Sequence, residues 1–352
     1  MTCFLIIWTT IQIYKIFSAA MHKKITWKKG MRLSAEIFNA MDDATEISYR
    51  MLALSASSGR YGLFTTRKPF SVAINITGNA LEVTSMSCHG LTRTGCFIDI
   101  NFDSNFANTF DTRVMLPNIV SDEGYILVVK VNEGMWREID GAFSELAYSF
   151  ELLPENSDIP ENALPVGRLI NDSGWRLDEL TFVPPCLFVS AHPKLVNQCM
   201  RAMEISREIY MRCISSPDCV AVALICSVWT ASFAMTNRLD KERDTLTPPQ
   251  LLSAIQILVD AFVAGCRADN YISLENQEEF ATYAQKPFDA RNIFRDIEIG
   301  IALCEEISAK MVTVSQITAA ESCQEKKQPA KQVSGAPEKT RQERNRWSGL
   351  EI

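Results

Sequence analysis

Histidine is scarce in this chain: there are three in 352 residues, His22, His89 and His192. No two of them share a helix face, which excludes a metal site of the HExxH type. There is no GxSxG nucleophile turn, no P-loop and no GxGxxG, and Gly59-Arg60-Tyr61-Gly62 reads as a simple turn. The acidic doublets Asp42-Asp43 and Glu278-Glu279 fall on predicted helix surfaces and are not spaced as a catalytic carboxylate pair. His192 lies six residues beyond Cys186, close enough in sequence to imagine a base for a nucleophile. A cysteine buried on a strand and a histidine at a helix entrance is the simpler reading of that pair. No catalytic residue, cofactor or metal ligand is assigned from the sequence.

An excess of positive charge is also missing. With 35 Lys and Arg against 42 Asp and Glu, the net charge of −7 excludes a nucleic-acid partner recognised through a basic field. The eleven cysteines (Cys3, Cys88, Cys96, Cys186, Cys199, Cys213, Cys219, Cys226, Cys266, Cys304 and Cys323) contain no CxxC pair. An odd, scattered set favours reduced thiols in a cytosolic compartment over a disulfide framework. Charge is absent altogether from Cys219 to Met235. That run is too short for a membrane span, and a helix apolar all round is buried in a large core or by oligomer partners.

What is present divides the chain at Phe182–Leu195, FVPPCLFVSAHPKL. Before it the pattern is β, and after it almost entirely helical. Pro184 and Pro185 cannot both donate to a ladder, so strand pairing stops or runs along an edge there. Pro193 stands where a first helical residue would, with its missing N–H costing nothing. The length predicts two domains, and the 47% hydrophobic, 22% charged composition is that of a globular protein.

The first twenty residues, MTCFLIIWTTIQIYKIFSAA, are read as an upstream start, with the working protein beginning at Met21. An export signal or an anchor is the alternative, weakened by the lack of a basic residue before the apolar run. A basic stretch, HKKITWKKGMR, follows. From Ser34, a plausible N-cap, Ile37, Phe38, Met41, Ala44, Ile47 and Met51 recur at helical spacing, predicting a helix over 35–55. Strands are predicted at 71–76, 80–87, 96–102, 112–116, 125–132, 147–152, 165–170 and 175–177, with turns at Thr77-Gly78-Asn79 and at Asn171-Asp172-Ser173-Gly174. Short strands at near-regular spacing suggest a sandwich or barrel.

Four helices follow: 193–214, one from the Ser216-Pro217 cap to about Asn237, 249–267 and 289–314. From Gln316 the composition turns to Gln, Lys, Glu, Pro and Ser, which cannot offset its ordering entropy by burial. The expected fold class is therefore α+β and multidomain. A β-sandwich or barrel-like domain (21–190) precedes an antiparallel four-helix bundle (191–315) and a disordered tail (316–352). Trp347, Leu350 and Ile352 are the tail's only sticky residues, a docking motif or a frayed end.

Two stretches carry a resemblance. ITWKKGMRLSAEIF, with Trp27, Gly30, Met31, Leu33 and Phe38, resembles the opening W-x-x-G-(M/L)-x-L-x-x-x-x-F of TssK, a baseplate subunit of bacterial type VI secretion systems. LPVGRLINDSGWRLDELTFVPPCLFVSAHPKLV resembles that family's strand–turn–strand, its F-(I/V)-P-P and its helix entrance, here Phe182, Val183, Pro184, Pro185, Ala191, His192, Pro193 and Leu195. The family's P-Q-H-F is here Ala35-Glu36-Ile37-Phe38, without its Pro and His.

The resemblance implies a non-enzymatic, cytoplasmic homotrimer. In the family, a β-rich shoulder like that of phage receptor-binding proteins docks on the baseplate wedge, a helical bundle follows, and a C-terminal head contacts the membrane complex. The residues after Val314 read as a tail where the family has its head, which implies either a divergent, shortened member or a membrane-complex contact made differently, for instance by that tail. Interface residues expected on this basis are Trp27, Met31, Phe38 and Met41 near the start, Trp229 on the uncharged helix, and Trp347 in the tail. The first four have a second reading, as residues closing the β-domain core. Two other functions remain open: an enzyme with a β-domain pocket near His89 or His192, and a scaffold tethered to a membrane by residues 1–20.

Overall fold

The computed structural model describes residues 28–102, 111–117, 124–138, 144–172, 174–215, 221–269 and 277–325. Trp27, Trp347, residues 1–20, the Ser216-Pro217 cap and the tail beyond 325 lie outside the described residues.

The described chain opens with helix α1 (Ala35–Ala56) and nine strands: β1 (Gly62–Leu63), β2 (Ser71–Thr77), β3 (Ala80–Leu91), β4 (Phe97–Phe102), β5 (Arg113–Met115), β6 (Tyr125–Glu138), β7 (Ser144–Pro154), β8 (Ala163–Asn171) and β9 (Trp175–Leu177). A 3-10 turn (Val189–Ala191) then leads into α2 (Pro193–Ile214), α3 (Val222–Lys241), α4 (Pro248–Asp269), α5 (Gln277–Ala284) and α6 (Ile293–Glu325). The fold is α+β, and every strand pairing is antiparallel.

Long β3 is the spine of the first sheet, with β2 and then β1 along one edge and β5 and then β4 along the other. The β2–β3 hairpin closes through Gly78-Asn79 with Gly78 at φ +60°, the left-handed conformation a tight hairpin turn asks for. Thr84 is an extra residue on β3, since Ala73 pairs with Ser85 and Ile74 with Val83. The second sheet runs β7-β6-β8-β9. Its spine β6 buries Leu127, Val129 and Val131 in the main core, and Ile126 and Val128 in a small cluster with Ile159 and Ala163.

All eight strands expected from alternation form. Two-residue β1 is additional and lies in the segment read as a turn. The uncharged helix begins at Val222 and runs to Lys241, and α5, which carries the Glu278-Glu279 doublet, is additional to the four long helices expected. The last helix continues to Glu325, past the Val314 at which its apolar pattern fades. The reason is that Gln316 to Glu325 contains neither proline nor glycine to stop it.

The four long helices pack in a closed cycle, α2 on α3, α3 on α4, α4 on α6 and α6 on α2, with α5 set against α4. Contact between α3 and α4 is close: a Cβ on Gly265 would lie 2.6 Å from Leu224 Cα, and the Ser227 hydroxyl donates to the Ala261 carbonyl at 3.0 Å. Of the described helices α4 is the one apolar enough to cross a membrane, and 56% of its apolar window is buried inside the fold. Its Leu251, Ile255, Leu258 and Phe262 are fully buried.

The β8–β9 ladder ends at Leu177, and at the joint the chain leaves the double proline alongside β1. The Pro185 carbonyl accepts from Leu63 N–H and Leu187 N–H donates to the Leu63 carbonyl, both at 2.8 Å. A Cβ on Gly62 would stand 2.4 Å from the Pro185 oxygen, so only glycine admits this approach. Lys194, in the first turn of α2, donates through Nζ to the carbonyls of Leu180 (3.1 Å) and Phe182 (3.3 Å). The joint is thus stitched on both sides and joined to a continuous apolar core that runs from Leu63 to Met311.

Candidate functional site

The expected interface residues that are described fall on two separate surfaces. On α1, Ser34 occupies the N-cap and its carbonyl accepts from Ile37 and Phe38 N–H. No residue of this 22-residue helix is fully buried. It is held at its C-terminal end, where Arg50 pairs with Glu46 (2.6 Å) and with Glu133 (3.1 Å) and Leu54 packs against Gly95. Ile37, Ala44, Ile47 and Met51 are half-buried, whereas Phe38 is 43% and Met41 39% exposed. Met31, Leu33, Tyr49 and Leu52 are exposed as well. Met31, Phe38 and Met41 therefore do not close the β core; they lie outside it. Glu36, Asp42, Asp43 and Glu46 flank this face with negative charge.

The second surface is on the outer sides of α2 and α3. Buried Leu224, Val228, Ala231, Met235 and Leu239 seat one side of α3, so the helix is not enclosed all round within a single chain. Its other side shows Val222, Cys226, Trp229 and Phe233. The rings of Trp229 and Phe233 stack at 6.1 Å and 11°, and Tyr210 of α2 lies 6.2 Å from Trp229 and 5.6 Å from Phe233. Met211 and Ile214, close to Tyr210 in sequence on α2, are exposed as well. Trp229 was singled out from sequence; Phe233, Tyr210, Met211 and Ile214 were not. The 222, 226, 229, 233 spacing on a helix is the signal that finds the α3 half of it.

The two described histidines, His89 and His192, have structural partners. His192 is the N-cap of α2, its Nδ1 accepting from Lys194 N–H at 3.3 Å while the ring leans on Phe70. Burial, with the Lys194 charge adding to it, lowers its pKa to about 4. Cys186 is buried and directs its thiol at the Pro184 carbonyl, and burial raises its pKa far above the ordinary thiol range. The pair is a cap and a core thiol. His89 Nδ1 pairs with Asp99 at 2.8 Å beside an open groove of about 320 Å³. A larger cleft of about 600 Å³ lies between β8 and the start of α6, with Arg168, Arg291 and Arg295 facing Glu155, Asp289 and Glu298. Two of these arginines are paired with carboxylates, Arg168 with Glu155 (2.8 Å) and Arg291 with Asp158 (3.9 Å). Among the described residues no three His, Cys, Asp or Glu converge as a metal would require.

No family model and no curated protein sequence matches the chain. Solved structures do. A crystal structure of TssK superposes with a TM-score of 0.55 at 14% identity, over 81% of this chain and 69% of that one. TssK from the EAEC type VI secretion system, in complex with nanobody nb18, gives 0.52 at 16% identity, over 76% and 68%. A chain of the type VI secretion TssK-TssF-TssG baseplate subcomplex gives 0.52 at 14% identity, over 81% and 99%. At such identities the likeness is one of fold, and it spans both the strands and the helices.

Proposed function

We propose that this chain, which has the TssK fold, is a divergent TssK: a structural subunit of a type VI secretion baseplate that performs no catalysis. In this reading the strands form the sandwich-like shoulder, the four long helices form the bundle, and the chain is a cytoplasmic homotrimer linking the baseplate wedge to the membrane-associated complex. The fold likeness over about four-fifths of the chain carries the reading. It is supported by motifs found independently in sequence, at the opening of α1 and at the double-proline joint.

The two exposed surfaces take different roles. The aromatic patch of Tyr210, Trp229 and Phe233 packs against sister chains, since large rings at the centre of an apolar patch are the anchors stable interfaces use. The α1 face of Met31, Phe38 and Met41 docks on the wedge, with Trp27 beside it, and Trp347 in the tail reaches toward the membrane complex. The wedge role is tested with the double substitution Phe38→Asp, Met41→Asp. Both side chains are exposed, so the melting temperature should hold while affinity for the wedge subunits of the same system falls more than about tenfold. Unchanged affinity in titration calorimetry removes α1 from the interface.

A further inference from the structure

We propose that the outer edge of β2 is a docking edge that receives an extended segment of another protein by strand addition. Among the described residues β2 pairs with β3 alone, and no backbone–backbone hydrogen bond outside that ladder involves Ser71 to Thr77; the Thr84 hydroxyl of β3 donates to the Ala73 carbonyl at 3.2 Å, on the inward side. The two-residue turn makes Thr77 and Ala80 a mutually hydrogen-bonded pair, so Asn75 and Ala73 also bond inward, by the period of two. Val83 N–H confirms the phase, donating to the Thr112 carbonyl on the far side of β3 rather than to its partner Ile74. The amide and carbonyl of Val72, Ile74 and Ile76 consequently point away from the sheet.

Sheets normally guard such an edge with charge, proline, a cover or a short strand. The other edges here have such guards. Tyr148 Oη takes the Asp99 amide of β4 at 3.4 Å, Asp111 just before β5 bridges to Ser149 of β7, and β9 is three residues long. By contrast β2, Ser-Val-Ala-Ile-Asn-Ile-Thr, carries no charge and no proline over seven residues. The bulge at Thr84 is on β3 and leaves β2 regular.

Side chains point to the same occupant as the backbone. Val72, Ile74 and Ile76 pack on the main core yet are only half-buried, so the core's rim is open along this edge. A free row of amides and carbonyls is satisfied by another extended backbone, and apolar residues at alternate positions of that strand would cover the rim. A second copy pairing β2 with β2 is the other candidate. It would impose a two-fold contact on each chain of the trimer proposed above, opening that assembly into a larger one. The heterologous segment is therefore the assigned occupant.

Amide hydrogen exchange on the full chain tests this, with the synthetic peptide acetyl-Lys-Thr-Val-Thr-Ile-Thr-Val-Thr-Lys-amide as the probe. The amides of Val72, Ile74 and Ile76 should exchange rapidly in the free protein and slow at least tenfold at saturating peptide. Those of Ala73 and Asn75 should be slow throughout. Ile74→Pro removes an outward N–H without touching the ladder to β3, and should abolish peptide protection while the melting temperature stays within a few degrees. Should Ile74→Pro fail to fold, Val72→Pro at the strand's end replaces it. The proposal is overturned if the outward amides are already slow in the dilute free chain, if their protection rises with protein concentration alone, or if the peptide leaves them unchanged. Wedge binding through α1 is read separately, so the two ideas fail independently.

Discussion

Single residues at the joint decide whether the two halves of this chain can meet. Gly62 has φ +134° and stands where any Cβ would overlap the Pro185 carbonyl at 2.4 Å. Gly62→Ala should therefore cost about 2–4 kcal/mol through strain and a forced shift of β1, read as a lowered urea midpoint. A loss under about 0.5 kcal/mol would mean the elbow is not seated on β1 as described. His192 gives the joint a pH response. Its pKa falls from near 6.5 to about 4 on folding, so the folded state prefers the neutral ring. That contribution is complete above pH 6.5 and is lost as the pH drops toward 4. Replacement by asparagine keeps an N-cap but removes the titration. His192→Asn should flatten the stability profile between those two pH values, and an unaltered slope there would place the titration elsewhere.

At the scale of elements, the α3–α4 crossing rests on small residues. A methyl group at Gly265 meets Leu224 Cα and the Ser227 hydroxyl at 2.6 and 2.5 Å, both closer than real contacts allow. Gly265→Ala should overpack the crossing and destabilise by about 1–3 kcal/mol, visible in thermal unfolding; an unchanged melting temperature would show that the helices stand further apart. Strand alternation and helix caps were legible in the sequence because they are local. Pro193 and Thr247-Pro248 both mark true helix starts, the second closed by Gln250 Oε1 on Thr247 N–H at 2.9 Å. What was not legible depended on long-range partners. Two-residue β1 exists only because Leu63 meets Gly90 and the elbow. Nor does local periodicity show that Phe38 and Met41 face outward while Ile37 and Ala44 of the same stripe turn in. That division depends on where Glu133 of β6 and Gly95 of the β3–β4 turn, both distant in sequence, hold the end of α1.

For the whole molecule, the joint, the core and the exposed aromatics make one argument. A continuous core fixes strands and helices relative to each other, and among the apolar side chains left exposed are those of α1 and of the α2–α3 face. Trp229 is 40% and Phe233 48% exposed in the isolated chain, although their helix carries no charge between Val222 and Met235. Water-facing stacked rings of that size are costly to leave bare, and sister chains would bury them. The proposed trimer would also account for the uncharged run looking enclosed in sequence, since sister chains would complete an enclosure that a single chain leaves open. Light scattering during size-exclusion chromatography at micromolar concentration tests this most directly. The account predicts the mass of three chains, falling toward one chain when Trp229 and Phe233 are both replaced by Ala; a stable species of one 39.5 kDa chain in the unaltered protein would contradict it.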